Sequence, residues 1–207
     1  MYAGHLDLSQ PILWTLDDVL TPAECAAFIA RYEALGDRVE VAPIHGTTGE
    51  AVVNERVRNN TRHIFIDAEL AATIFARVAH QLPPTFQGAR LLGLNDWWRI
   101  YRYQPGQRHG AHWDTPIELD HDISSKLTFV IYLNDDFTGG HTTFTELGDT
   151  VRPATGRALL FQQRVLHEAE AVTQGTKYAL RSEVMYQGAG VRAGEGREAG
   201  GVRAGGR

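Results

Sequence analysis

Apolar residues recur at helical spacing through Phe28, Ile29, Tyr32 and Leu35, so one face of this segment can bury against a core. Thr21-Pro22-Ala23-Glu24 supplies its start, because Thr21 can cap, Pro22 fits the first turn and Glu24 can bond back to the cap. Gly36 supplies the stop. Leu70, Ile74, Phe75 and Val78 share one face of a second helix predicted over about 68–81, closed by Pro83-Pro84. Between the two, residues 39–60 are mixed and polar and read as strand plus loop. From residue 90 onward the pattern changes to short runs of β-branched and aromatic residues separated by Gly, Pro and Asp. These predict strands at 97–103, 127–133, 142–144, 158–161 and 178–186, with a turn at 135–140. The expected fold is mainly β with supporting α, a sandwich or barrel carrying two N-terminal helices.

Composition changes this picture little. The 207 residues suffice for one domain, expected over 1–187, with helical support over about 20–90 and a β core after it. A hydrophobic share of 43% is ordinary, and a net charge of −5 gives no reason to expect nucleic acid or an anionic membrane as partner. Cys25 is the single cysteine and falls inside the first helix, where a buried apolar role is expected rather than a reactive thiol. No basic stretch followed by an apolar run opens the chain, and no segment approaches the roughly 20 apolar residues of a membrane span. A soluble, cytoplasmic protein is expected. Residues 188–207 hold eight glycines and a repeated Gly-Val-Arg-Ala-Gly, so they are expected to form a flexible, slightly basic tail rather than a core element.

The chemistry starts at His112-Trp113-Asp114. On an extended strand, residues two apart face one side, so the imidazole and the carboxylate can reach one point. His167, just after the strand at 158–161, is the candidate third ligand. Two His and one carboxylate leave open positions on a metal, the arrangement of non-haem Fe(II) oxygenases. His5, His45, His63, His80 and His121 have no partner at ligand spacing and read as surface or structural residues. Lys177 and Arg181 lie an even number of residues apart and would point the same way on a strand. Either could pair with the remote carboxylate of a dicarboxylate co-substrate. Tyr103 and Tyr132 flank the triad and could donate hydroxyl hydrogen bonds to that carboxylate.

The stretch Arg99-Ile-Tyr-Arg-Tyr-Gln-Pro-Gly-Gln-Arg-His-Gly-Ala-His112-Trp-Asp114 resembles the first metal-ligand segment of prolyl 4-hydroxylase-type 2-oxoglutarate oxygenases. Residues 127–144 are similar to their central hairpin. Residues 151–161, His167-Glu168 and 172–181 are similar to their closing strands. The resemblance covers roughly 12–186 and implies a double-stranded β-helix, or jelly-roll, core. It implies His112, Asp114 and His167 as ligands of Fe(II). It also implies Tyr103 and Tyr132 as partners of 2-oxoglutarate and Lys177 as the cation for its far carboxylate. Arg181 stands where many related oxygenases place an arginine, and both cations are expected in the pocket. His109 and His141 depart from the family pattern; packing differences are the expected explanation, with tuning of substrate choice as the alternative.

The implied activity is hydroxylation of a C–H bond with O2, releasing succinate and CO2, with ascorbate as an accessory reductant. A prolyl residue in a protein or peptide is the expected substrate, with a free amino acid or small metabolite as alternative. A non-catalytic jelly-roll metal- or ligand-sensing module is the alternative of another class. Trp98, Trp113 and Arg99, with Trp97, are expected to form the substrate entrance.

Overall fold

A computed structural model describes residues 6–45, 50–120 and 122–188. The expected tail beyond Gly188, His5 and His121 lie outside the described residues, as does the side chain of His45. Helix α1 (Pro22–Glu33) begins as its sequence requires. The Thr21 hydroxyl accepts from the Glu24 N–H (3.2 Å), and the Thr21 N–H donates to the Glu24 carboxylate (2.8 Å). A cap of this kind contributes about 1 kcal/mol. Helix α2 (Ala68–Val78) is capped by Asp67, whose carboxylate accepts from the Leu70 N–H, and continues as a 3-10 turn at Ala79–Gln81. Arg77 of α2 donates twice to Glu24, at 2.7 and 3.0 Å, so one carboxylate both caps α1 and ties it to α2. The Arg77 hydrogen bonds, followed by those from Thr21, hold the Glu24 carboxyl down at about 2.

The helices cover one face of a large antiparallel sheet. Its strands are β1 (Leu13–Leu16), β2 (Thr61–Ile66), β3 (Trp97–Tyr103), and, further along, the long Ile123–Tyr132, Ala158–Gln162 and Lys177–Gln187. A smaller sheet holds β4 (His109–His112) and the short strands Thr142–Phe144, Asp149–Val151 and His167–Ala169. In chain order the later strands are β5 (Ile123–Tyr132), β6 (Thr142–Phe144), β7 (Asp149–Val151), β8 (Ala158–Gln162), β9 (His167–Ala169) and β10 (Lys177–Gln187). The central path of the large sheet is β1-β8-β5-β10-β3-β2, and the smaller sheet runs β7-β6-β9-β4. Phe144 of the small sheet meets Phe161 of the large one edge-on at 5.2 Å, in a cluster with Tyr132, Leu159 and Val165. This two-sheet arrangement is the expected jelly-roll core.

Alternation along the strands then sorts side chains into two sets. Trp98, Ile100, Leu127, Phe129, Ile131 and Leu180 face the helices and pack with Cys25, Ile74 and Val78. Tyr101, Tyr103, Thr128, Val130, Lys177, Ala179 and Arg181 face the other way and line a cavity. Cys25 is 1% exposed, in keeping with its reading as a small buried residue. Strands β1 and β2 were not foreseen. β1 is four residues long and is held as an edge strand by pairing with β8, a contact its own sequence does not announce.

Gly156 fixes the loop before β8 against the segment that leads into α1. Its φ is +80°, its carbonyl accepts from the N–H groups of Val19 and Leu20, and an added Cβ would clash with the Leu20 carbonyl oxygen. Gly156→Ala combines left-handed strain with a backbone clash. It should lower stability by about 3 kcal/mol, seen as an earlier midpoint in urea unfolding.

Candidate active site

The small sheet sets the first pair of candidate ligands. His167 and His112 are cross-strand partners in the β9–β4 register, with ring centroids 4.2 Å apart. Each ring is oriented by its own chain: the backbone oxygen of Gly110 lies 2.8 Å from Nδ1 of His112, and that of Val165 lies 3.0 Å from Nδ1 of His167. A carbonyl only accepts, so the proton sits on Nδ1 and the Nε2 lone pairs are left for another partner. Asp114 follows the end of β4 and reaches the same point, with carboxylate oxygens 3.7 Å from both Nε2 atoms. One ligand atom from each of His112, Asp114 and His167 falls within 4.8 Å of the others.

The electrostatics favour metal-ready protonation states. Burial first, and the neighbouring His167 second, push His112 down to about 3. Burial also lowers His167. Both imidazoles are therefore neutral at pH 7. Burial opposes ionisation of Asp114, but Arg181 and the two histidines outweigh it and hold the carboxyl below the usual carboxylate range. Its oxygens are also held: the Thr128 hydroxyl donates to Oδ2 at 2.6 Å, and Arg181 Nη2 lies 2.9 Å from Oδ1.

The large sheet supplies the opposite wall. Lys177 pairs in register with Tyr103, and its ammonium lies 5.3 Å from the ring centroids of both Tyr103 and Tyr132. It is 3% exposed and donates to the Gly140 carbonyl. Burial, opposed by a distant Glu170, lowers it to about 7. Tyr132 shares a hydrogen bond with the Thr142 hydroxyl (2.7 Å). Burial pushes Tyr132 up and raises Tyr103 to about 12, so both phenols keep their protons and can donate. Arg181 is spent differently. It bridges Asp114 and Glu183 (3.5 Å), and Arg99 completes the chain with a 2.7 Å contact to the same Glu183 oxygen.

Two of the expected entrance residues are elsewhere. Trp98 is fully buried on the helix-facing side of β3, with its indole N–H donating to the Asp67 carbonyl. Its strand parity is opposite to that of Tyr103, so it cannot face the cavity. Arg99 has cavity-side parity but is 8% exposed and bound by Glu183, with Trp97 stacked over it at 4.5 Å. Trp113 is exposed between two site residues, where an entrance residue can stand. His109 packs into the site itself. It lines the cavity and stacks on His112 at 3.5 Å. His141 is at the rim, 3.8 Å from Glu170. Arg58 and Tyr101 also line the cavity and were not singled out from the sequence.

The residues present fit a divalent metal and an anionic co-substrate. Two neutral imidazoles and a carboxylate converge, the lysine ammonium has no carboxylate within ion-pair distance among the described residues, and the buried Arg181 Nε has no partner. Comparison with known proteins points the same way. Residues 98–182 match the profile of the 2OG-Fe(II) oxygenase superfamily. The matched stretch includes His112, Asp114 and His167. It is 26% identical over 184 residues to an Acanthamoeba polyphaga mimivirus protein provisionally named a prolyl 4-hydroxylase, covering 80% of this chain and 70% of that one. The fold is similar to the viral collagen prolyl hydroxylase of Paramecium bursaria Chlorella virus-1, solved with 2-oxoglutarate. That likeness has a TM-score of 0.62 and 19% identity, over 86% of this chain and 97% of the other. It is also similar to a Trichoplax adhaerens prolyl hydroxylase solved with a peptide fragment of hypoxia inducible factor (TM-score 0.65, 17% identity, 86% and 84% covered). The reaction class is that of a 2-oxoglutarate-dependent hydroxylase using Fe(II) and O2. No helix among the described residues is long and apolar enough to cross a membrane.

Proposed function

We propose that this oxygenase hydroxylates a residue of a protein or peptide, in the manner of a prolyl 4-hydroxylase, with His112, Asp114 and His167 as its iron ligands. The observation that carries the reading is one cavity with a convergent triad at one side and the uncompensated ammonium of Lys177 at the other. When bound, Fe(II) and 2-oxoglutarate supply the oxidising power for C–H hydroxylation, with succinate and CO2 as products. The chain's own residues do the rest. The carbonyls of Gly110 and Val165 hold the imidazoles in one tautomer, and Thr128 and Arg181 hold the Asp114 carboxylate in one rotamer. Lys177, with the Tyr103 and Tyr132 hydroxyls, takes the far carboxylate of the co-substrate, and this contact fixes its direction in the site. Ascorbate serves as the accessory reductant. Relatives that act on prolyl residues support a peptidyl substrate.

The test is incubation of purified protein with Fe(II), ascorbate, 2-oxoglutarate and a library of proline-containing peptides. Succinate is followed by NMR, and mass spectrometry follows a gain of one oxygen on a peptide. Succinate release coupled to peptide oxidation is expected. No succinate release above that of the Asp114→Ala variant would sink the reading.

A further inference from the structure

The cavity holds a third cation, Arg58, that the reading above does not use. The segment carrying Arg58 runs along the open edge of β4, where Gly110 N–H donates to the Val57 carbonyl and Arg58 bridges to His109. Arg58 is 6% exposed. Its Nε donates to the Asn60 side-chain oxygen (2.9 Å), its Nη1 donates to the Pro43 carbonyl (3.2 Å), and its guanidinium lies 4.9 Å from the Tyr101 ring centroid. Every one of these partners is neutral. Both carboxylates of the site are engaged elsewhere, Asp114 by Arg181 and Glu183 by Arg99 and Arg181.

The surroundings of Tyr101 report the same excess. Burial raises its phenol, yet Arg181, then Arg58 and Arg99, outweigh burial and bring it down to about 8. Four basic side chains, Arg58, Arg99, Lys177 and Arg181, stand against the two carboxylates Asp114 and Glu183 in and beside this cavity, with Glu170 acting on Lys177 from further off, so the site carries an excess of positive charge. A divalent metal and a dicarboxylate carry equal and opposite charges, so loading the site leaves that excess in place. Lys177 answers to one end of the co-substrate, while Arg58 sits with Tyr101 and His109 beside the triad. A buried, uncompensated guanidinium is costly unless an anion meets it, and its planar fork suits a carboxylate.

We propose that Arg58, together with the Tyr101 hydroxyl, binds a carboxylate on the substrate, close to the carbon that is hydroxylated. The inference rests on the hydroxylase reading and narrows its substrate to carboxylate-bearing molecules. The carboxylate has two possible sources, an acidic or C-terminal group of a peptide and the carboxylate of a free amino acid.

The experiment measures binding to protein loaded with Fe(II) and N-oxalylglycine, a co-substrate analogue that does not turn over. Ligands are free L-amino acids, the same amino acids as carboxamides, and amide-capped pentapeptides with proline beside Asp, Glu, Asn or Gln. Preference for an acid over its amide by about tenfold, the scale of one charge-assisted hydrogen bond, supports the proposal and assigns the free amino acid. The same preference for Asp or Glu peptides over Asn or Gln supports it and assigns the peptide. Equal binding of acids and amides, or no binding by any acid, overturns it. Arg58→Met should collapse the preference towards one, and Arg58→Lys should keep part of it, with circular dichroism confirming that both fold. If Arg58→Met instead weakens 2-oxoglutarate by about tenfold, the cation serves the co-substrate and the proposal falls. Wild-type succinate release separates the two levels: its absence sinks the hydroxylase reading, and its presence without any acid preference sinks only this one.

Discussion

An Asp114→Ala variant is expected to retain no more than about one hundredth of wild-type 2-oxoglutarate turnover, because even groups one step removed from a metal shift affinity or activity on that scale. The carboxylate is the only anionic member of the triad, and its removal leaves two neutral imidazoles facing each other across 4.2 Å. Anaerobic calorimetry with Fe(II) should show the matching loss of metal affinity. The substitution also strips Arg181 of its nearer carboxylate at 2.9 Å, leaving Glu183 at 3.5 Å already shared with Arg99. Breaking a buried pair on one side costs about 3 kcal/mol, so the metal-free variant should unfold earlier in urea. Asp114→Asn separates the two effects, since it keeps an acceptor for the Thr128 hydroxyl but loses the charge. Wild-type iron affinity in Asp114→Ala would remove Asp114 from the metal site.

What the sequence showed of this site depended on how local each relation is. Helix caps such as Thr21–Glu24 and Asp67–Leu70 span three residues and are written in the chain itself. The even spacing of Lys177 and Arg181 put both in the cavity for the same local reason. Parity within β3 held more than was read from it. Once Tyr103 faces the cavity, Tyr101 and Arg99 share its side and Trp98 does not, which places Tyr101 in the lining and removes Trp98 from the entrance. Other facts are tertiary and have no local trace. The His112–His167 register joins strands of four and three residues that lie far apart in the chain. Which of two cations is free depends on Asp114 and Glu183 arriving beside Arg181 and not beside Lys177. Arg58 sits in a stretch read as strand plus loop; the family resemblance reaches Val57-Arg-Asn-Asn60, but nothing in the spacing gives this arginine a place in the cavity.

Substitution of Lys177 by methionine should move stability and co-substrate affinity in opposite directions. A charge-assisted hydrogen bond to the far carboxylate is worth about 1.5–3 kcal/mol, so 2-oxoglutarate should bind about ten- to a hundredfold more weakly. The metal-free, ligand-free protein should gain stability on the order of 2 kcal/mol near pH 7, because the ammonium is buried with only the Gly140 carbonyl and two aromatic faces around it. The pH dependence follows from the same burial. The folded lysine is lowered to about 7 from 10.5, so between those values the unfolded chain holds a proton that the folded chain has released. Stability of the ligand-free wild type should therefore rise with pH across that window, by at most about 1.4 kcal/mol per unit. The 2-oxoglutarate affinity should fall over the same window, by up to about tenfold per unit, because the carboxylate needs the charged form. Tyr103, raised to about 12, and Tyr132, raised further by burial, stay protonated in the folded chain; because unfolded tyrosine titrates near 10, they leave both slopes untouched below about pH 9 and oppose the rise in stability only above it. Tyr101, brought down to about 8, adds a second rise in stability with pH, so the slope that belongs to Lys177 is the part missing from Lys177→Met. A 2-oxoglutarate affinity that is flat between pH 7 and 9 in the wild type would mean that another cation, Arg58 or Arg181, holds the far carboxylate.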